Sequence, residues 1–169
     1  MAQPNSLETT VRRIAEELAA RRREAMIDGE EIPLLHEGLA IKGKAFDSTT
    51  PYTADEQRLL KRLRLFHRRK AKQCYANSQR LVTRFFEFEY FEYAEGFITG
   101  GILHAWLLLN GKVVDVTLDR TTHDYFGIVI PRKWVIAHNL KTNAHGPLIN
   151  DWNNNYEFQQ RILGSRYGY

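Results

Sequence analysis

The chain has 169 residues, 43% hydrophobic and 26% charged, a composition that fits one globular domain with a core of ordinary size. No stretch approaches ~18 consecutive apolar residues, so no membrane span is expected. Lys and Arg number 24 against 20 Asp and Glu, a formal charge of +4 that is too mild by itself to require a polyanionic partner. The single cysteine excludes an internal disulfide. Residues 1–6 pass straight into a charged helical pattern without the apolar core of a secretory signal, so a cytoplasmic location is the expectation.

Leu7, Val11, Ile14 and Leu18 recur at four-three-four spacing and predict a helix over residues 7–26, stopped by Asp28-Gly29. This seam suits packing on its own domain or pairing with a second copy as a homodimer. Residues 30–52 read as loops with at most a short strand near 38–42. Thr53-Ala54-Asp55-Glu56 is a capping box, in which Thr53 bonds the Glu56 amide while Glu56 reaches back. It opens a helix to about Lys70, with Leu59, Leu60, Leu63 and Phe66 inward. Over 54–72 the opposite face carries eight basic residues, among them Arg62, Arg68 and Arg69. They suit an acidic partner or a phosphate backbone, although a solvated helix face is the plainer reading.

A second helical pattern runs from Cys74 to about Phe86, with Ala76, Leu81, Val82, Phe85 and Phe86 as its buried stripe. Whether it continues the preceding helix or starts afresh at Cys74 is left open by the pattern. The distinction matters, because a helix N-terminus favours a thiolate. Strands come next over about Tyr90–Ile98, Leu103–Leu109 and Lys112–Leu118, then Phe126–Ile130, stopped by Pro131. A short helix over about 132–140 and a tail rich in Asn, Gly and aromatics, with a helical piece near 155–163, complete the chain. No repeat or linker divides it. The expectation is one domain over 1–169: a helical part (7–72), a core (73–140) and a tail (141–169).

Asn110-Gly111 is a strong hairpin signal, since a type I′ turn needs positive φ at both central positions. A two-residue turn pairs Leu109 with Lys112, places Trp106 opposite Asp115, and sets His104 opposite Thr117. Alternation then puts His104, Trp106, Asp115 and Thr117 on one face. His104 and Asp115 become diagonal neighbours with Cα atoms about 7–8 Å apart. A carboxylate there can bond one ring nitrogen and leave the other for a thiol. The plainer alternative is a His–Asp pair that merely satisfies itself at a sheet edge.

Gln73-Cys74-Tyr75-Ala76-Asn77, His104-Ala105-Trp106 and Asp115-Val116-Thr117 stand in the chain order of three motifs. Together they resemble the transglutaminase-like branch of the papain-like cysteine hydrolases, over about residues 72–120. That family places Cys at a helix start, His in a His-Ala-Trp strand and Asp in an Asp-Pro-Thr strand; Val116 stands here in place of the Pro. Tyr93-Ala94-Glu95-Gly96-Phe97 is similar to the strand ahead of the His strand. The resemblance implies an α+β, papain-like core, with the Cys-bearing helix packed on a small antiparallel sheet and extra N-terminal helices. It implies thiol acyl chemistry on a peptide, protein or other amide substrate: Cys74 attacks, His104 moves the proton and Asp115 holds the imidazole. Peptidase, amidase, deamidase and transferase outcomes stay open, and no cofactor is implied. Gln73, Asn77, Trp106 and Glu95 are supporting candidates. The backbone N–H of Cys74 is the first choice of oxyanion donor, and Trp106 reads most simply as a sheet residue.

Other readings stand beside this one. Free cysteines are usually small buried residues on a helix face, and an inactive relative would keep the fold. A regulatory protein that binds nucleic acid or protein through helix 54–72 is a second class. A zinc site from Cys74, His104 and Asp115, with His123, Asp124, His138 or His145, lacks the tight ligand spacing of a zinc module, and no metal is expected. His36 and His67 read as surface residues.

Overall fold

Asn110 and Gly111 adopt φ of 52° and 78°, the left-handed pair that a type I′ turn requires. The hairpin therefore closes in the expected register, with Leu109 opposite Lys112, Leu108 opposite Val113 and Leu107 opposite Val114. The computed structural model describes residues 6–14, 16–17, 39, 42–66, 70–84, 89–151 and 157–158. Its elements are β1 (Lys44–Phe46), α1 (Ala54–Phe66), α2 (Cys74–Arg84), β2 (Phe91–Ile98), β3 (Ile102–Leu109), β4 (Lys112–Val114), β5 (Tyr125–Ile130) and α3 (Arg132–Thr142). The architecture is α+β. The strands form one antiparallel sheet in the order β1-β5-β2-β3-β4.

The sheet curls until its edges meet. The Val113 N–H donates to the Asp47 carbonyl at 2.7 Å, an isolated bridge between the end of β1 and β4. Alternation divides the side chains into two layers. Inside the curl lie Phe46, Ala94, Ile98, Trp106, Leu108, Val113 and Tyr125. The outer face carries Phe91, Tyr93, Phe97, Ala105, Leu107 and Ile130, covered by Leu60, Leu63, Leu81 and Val82 from the helices. Gly127 leaves room for the Trp106 ring, because a Cβ there would lie 2.8 Å from its Cη2.

The capping box forms: Thr53 N–H donates to Glu56 Oε2 at 2.7 Å and Glu56 N–H to Thr53 Oγ1 at 3.3 Å. Glu56 also accepts from Asn110 Nδ2 at 3.0 Å and Lys112 Nζ at 2.8 Å. The cap thus ties α1 to the hairpin turn. Lys112 is the first cause holding the Glu56 carboxyl down at about 2.

Several boundaries differ from expectation. No strand forms near 38–42 among the described residues; Leu39 and Lys42 are helical, because the Gly43 N–H bonds the Leu39 carbonyl at 2.7 Å. The short strand lies just after, at β1. The third predicted strand ends at Val114 instead of Leu118, since Asp115 Oδ1 captures the N–H groups of Thr117 and Leu118 and turns the chain. Tyr90, expected to begin the first of these strands, lies in the turn before β2 and is 63% exposed. On α2 the buried residues include Asn77, Ser78 and Gln79 beside Leu81 and Val82, whereas Ala76 is only half-buried; Phe85 and Phe86 lie outside the described residues. In the N-terminal helix, Leu7 and Val11 bury within the chain's own core; Leu18 and residues 20–26 lie outside the described residues. Among the described residues no helix is long and apolar enough to cross a membrane.

Candidate active site

The backbone turns at Lys72, with φ of 60°, and α2 begins afresh at Cys74. The Gln73 carbonyl accepts the Asn77 N–H at 2.8 Å, the first bond of the helical ladder. Amides of the first turn have no intrahelical acceptor, so Cys74 sits at the positive end of the helix dipole. Asn77, one turn further on, is fully buried. Its Nδ2 donates to the Lys70 carbonyl at 2.8 Å and to Thr117 Oγ1 at 3.1 Å, and its Oδ1 accepts the Lys70 N–H at 3.1 Å. One side chain therefore joins the loop before the thiol to the loop after Asp115.

β4 pairs only with Leu107–Leu109, so the first half of β3 has no strand on that side. The start of α2 occupies the gap. Ser78 Oγ donates to the Ala105 carbonyl at 3.3 Å, a group that β4 does not reach. Cys74, one turn earlier on the same helix face, is near enough to the His104 ring to help raise its pKa and is itself half-buried.

His104 Nε2 lies 2.7 Å from Asp115 Oδ2, with both side chains almost wholly buried. This bond leaves Nδ1 as the nitrogen for the thiol. The same Oδ2 accepts the Tyr125 hydroxyl at 2.8 Å, while Oδ1 accepts the amides of Thr117 and Leu118 at 2.7 and 2.9 Å. Burial raises the Asp115 carboxyl, but the His104 bond, its charge and the two amides together hold it below the usual range. Burial is also the largest single influence on His104, against the charged ring. The bond to Asp115, the Asp115 charge and the nearby Cys74 outweigh it and raise the imidazole to about 9. Burial and the neighbouring carboxylate push the Tyr125 phenol up, so it remains a donor.

The predicted residues thus fall in four places. Cys74, His104 and Asp115 come together, and Asn77 buttresses them. Trp106 is fully buried inside the curl, its ring stacked on His104 at 6.4 Å between centroids and 5.1 Å from Tyr125; its Nε1 has no hydrogen-bond partner. Gln73 is exposed, and its side chain lines a cleft on the side of α2 away from β3.

Glu95 stands apart, on the outer face of the sheet. It accepts from Tyr93 at 2.6 Å and from the amides of Leu148 and Ile149 at 2.9 Å, so its bonds go to the tail and not to Cys74, His104 or Asp115. Burial raises its carboxyl to about 7 against those bonds.

Tyr125, Ser78 and Gln79 escape the sequence reading. Tyr125 lies one residue before the predicted strand, although Tyr125-Phe126-Gly127-Ile128 continues its alternation. Ser78 and Gln79 carry no apolar signal, and only their partners make them buried. Gln79 Nε2 donates to the Tyr93 hydroxyl at 2.9 Å and to the Gly146 carbonyl at 2.6 Å. Arg68, Arg69, His36 and His67 lie outside the described residues. His138 pairs with Asp151 at 3.4 Å, and no three His, Cys, Asp or Glu side chains among the described residues are placed to share a metal ion. Compared with family models, curated proteins and solved structures, the chain matches none of them.

Proposed function

We propose that this protein is a thiol-dependent acyl-transfer enzyme, built on a core of the transglutaminase-like, papain-like type. The observation that carries the reading is the chain of contacts Asp115–His104–Cys74, with the thiol at the first residue of a helix. In the proposed reaction Cys74 passes its proton to His104 and its sulfur attacks an amide or ester carbonyl. Backbone N–H groups at the start of α2, that of Cys74 first, stabilise the oxyanion, a contribution of about 3 kcal/mol per donor in well-characterised enzymes. His104 protonates the leaving amine or alcohol as the tetrahedral intermediate collapses to a Cys74 thioester. It then takes a proton from the second acceptor, water or an amine, whose attack releases the product and restores the thiol. Asp115 keeps the ring oriented and balances its charge.

Alkylation of Cys74 by iodoacetamide tests this without a known substrate. Wild type should label at neutral pH, and His104→Ala should slow labelling by at least about tenfold. Equal, slow labelling of both proteins would overturn the reading.

A second reading rests on the exposed Arg58, Lys61, Arg62 and Arg64 of α1: a surface for an acidic protein or nucleic acid, on an inactive relative. Its mark would be oligonucleotide or acidic-peptide binding that falls steeply with salt and is lost when Lys61 and Arg62 are reversed to Glu.

A further inference from the structure

Val113, in the middle of β4, turns its backbone groups away from β3. In a two-residue hairpin Leu109 and Lys112 exchange bonds, as do Leu107 and Val114, while the intervening Leu108–Val113 pair does not. The Val113 N–H goes to the Asp47 carbonyl. Its own carbonyl accepts the Tyr52 hydroxyl at 2.5 Å and Arg120 Nη1 at 3.4 Å. Arg120 Nη2 donates at 2.7 Å to the Thr50 carbonyl, and Asp47 Oδ1 fixes that residue by accepting the Thr50 N–H at 2.9 Å. The guanidinium is buried, with its Cζ 3.9 Å from the centroid of the Tyr52 ring, a contact that favours a planar cation.

The segment between Val113 and Arg120 is the one that presents Asp115. It also carries the Thr117 and Leu118 amides that bond Asp115 Oδ1, and the Thr117 hydroxyl that accepts from Asn77. Arg120 opens a 3₁₀ turn (Arg120–Thr122) capped by Asp119, and its bond to Val113 closes the segment into a loop. One side chain thus joins the two ends of the loop and ties them to the chain leading into α1. Lys cannot reproduce this, since an ammonium neither stacks flat on a ring nor offers a rigid fork to two acceptors.

We propose that Arg120, stacked on Tyr52, is a positioning residue for the His104–Asp115 pair. It acts through the loop on which the carboxylate stands, because a 2.7 Å bond to His104 Nε2 tolerates little displacement of either partner. Tyr52 shares the role by holding the same Val113 carbonyl. That the pair serves a reaction rests on the acyl-transfer reading; the contact itself does not. Charge and position have opposite signs here. Removing a cation near the pair would by itself favour protonated His104 and raise its pKa. A displaced Asp115 withdraws both a bond and a negative charge from the ring, and lowers it.

An NMR titration of the His104 ring in the full chain, with the signal assigned by His104→Ala, separates these effects. The groups facing the ring are Asp115, Cys74 and Tyr125, and the wild-type midpoint is expected near 9. Arg120→Lys, which keeps the charge and loses the fork, should lower the midpoint by about one pH unit. Arg120→Gln should lower it at least as far. Tyr52→Phe keeps the ring and loses one bond to Val113, so it should lower the midpoint by less; it carries the test if the Arg120 variants fail to fold. A loss of overall stability alone would not move a midpoint measured on folded protein. An unchanged or raised midpoint in the folded Arg120 variants, or in Tyr52→Phe where those do not fold, would overturn the proposal. The titration needs no reactive thiol, so a wild-type Cys74 that fails to alkylate would end the acyl-transfer reading and leave this result standing.

Discussion

Asp115 shows how one side chain can serve strand termination and a reactive centre together. Its two oxygens receive four donors: the His104 ring, the Tyr125 hydroxyl and two backbone amides. Asp115→Asn must direct an NH₂ group at one of these donor pairs, and the variant should lose about 1–3 kcal/mol of stability in denaturant unfolding. It should also change the pH dependence. The native pKa of His104 is raised to about 9 from an ordinary 6.5. The stability from this pairing is therefore fully present below 6.5 and fades as pH rises through 9. Wild type should lose on the order of 2–3 kcal/mol over that window, and Asp115→Asn should be nearly flat across it.

At the scale of elements, the hairpin and the capping box are legible in the sequence because both are local rules. Asn110-Gly111 sets the turn, the turn sets parity, and parity brings His104 and Asp115 to one face whatever packs around them. The polar residues of α2 are not legible in this way. Asn77 lies outside the apolar stripe of α2 and is a candidate only through the resemblance, and it becomes buried because the Lys70 turn and the Thr117 loop fold around it. Its truncation takes a partner from the Lys70 N–H and the partly buried Thr117 hydroxyl, while the Lys70 carbonyl keeps the Gln73 N–H at 3.4 Å. Asn77→Ala should therefore cost about 2–3 kcal/mol. It should also slow Cys74 alkylation, because the loop that delivers the thiol loses its tie. Unaltered labelling in a folded Asn77→Ala protein would show that α2 holds Cys74 in place without this bond.

For the whole molecule, the tail is held by a buried carboxylate. Glu95 binds the amides of Leu148 and Ile149, while Gln79 holds the Gly146 carbonyl, and Leu148 and Ile149 join the outer core. Burial places the Glu95 pKa at about 7 against an ordinary 4.5. Its protonated form favours the fold, so that stability is fully present below 4.5 and is lost as pH rises through 7. The denaturant midpoint of wild type should fall between pH 5 and 7.5, and that of Glu95→Gln should be lower at pH 5 but level across the window. Both raised groups lose stability toward alkaline pH, whereas Asp115, with its lowered pKa, loses stability only as pH falls below about 4.

The sequence by itself determined the features that neighbours along the chain dictate: the α1 cap, the hairpin register, and the shared face of His104 and Asp115. These rest on backbone φ preferences and the two-residue period of a strand, which act before any tertiary contact exists. Only the tertiary structure decided that Cys74 starts a new helix beside the uncovered half of β3. It also decided that Tyr125 holds Asp115 and that Glu95 anchors the tail. Each of those depends on segments that pack together without being neighbours in the chain. Their meeting is set by how the curled sheet and its covering helices fit, which no local pattern records.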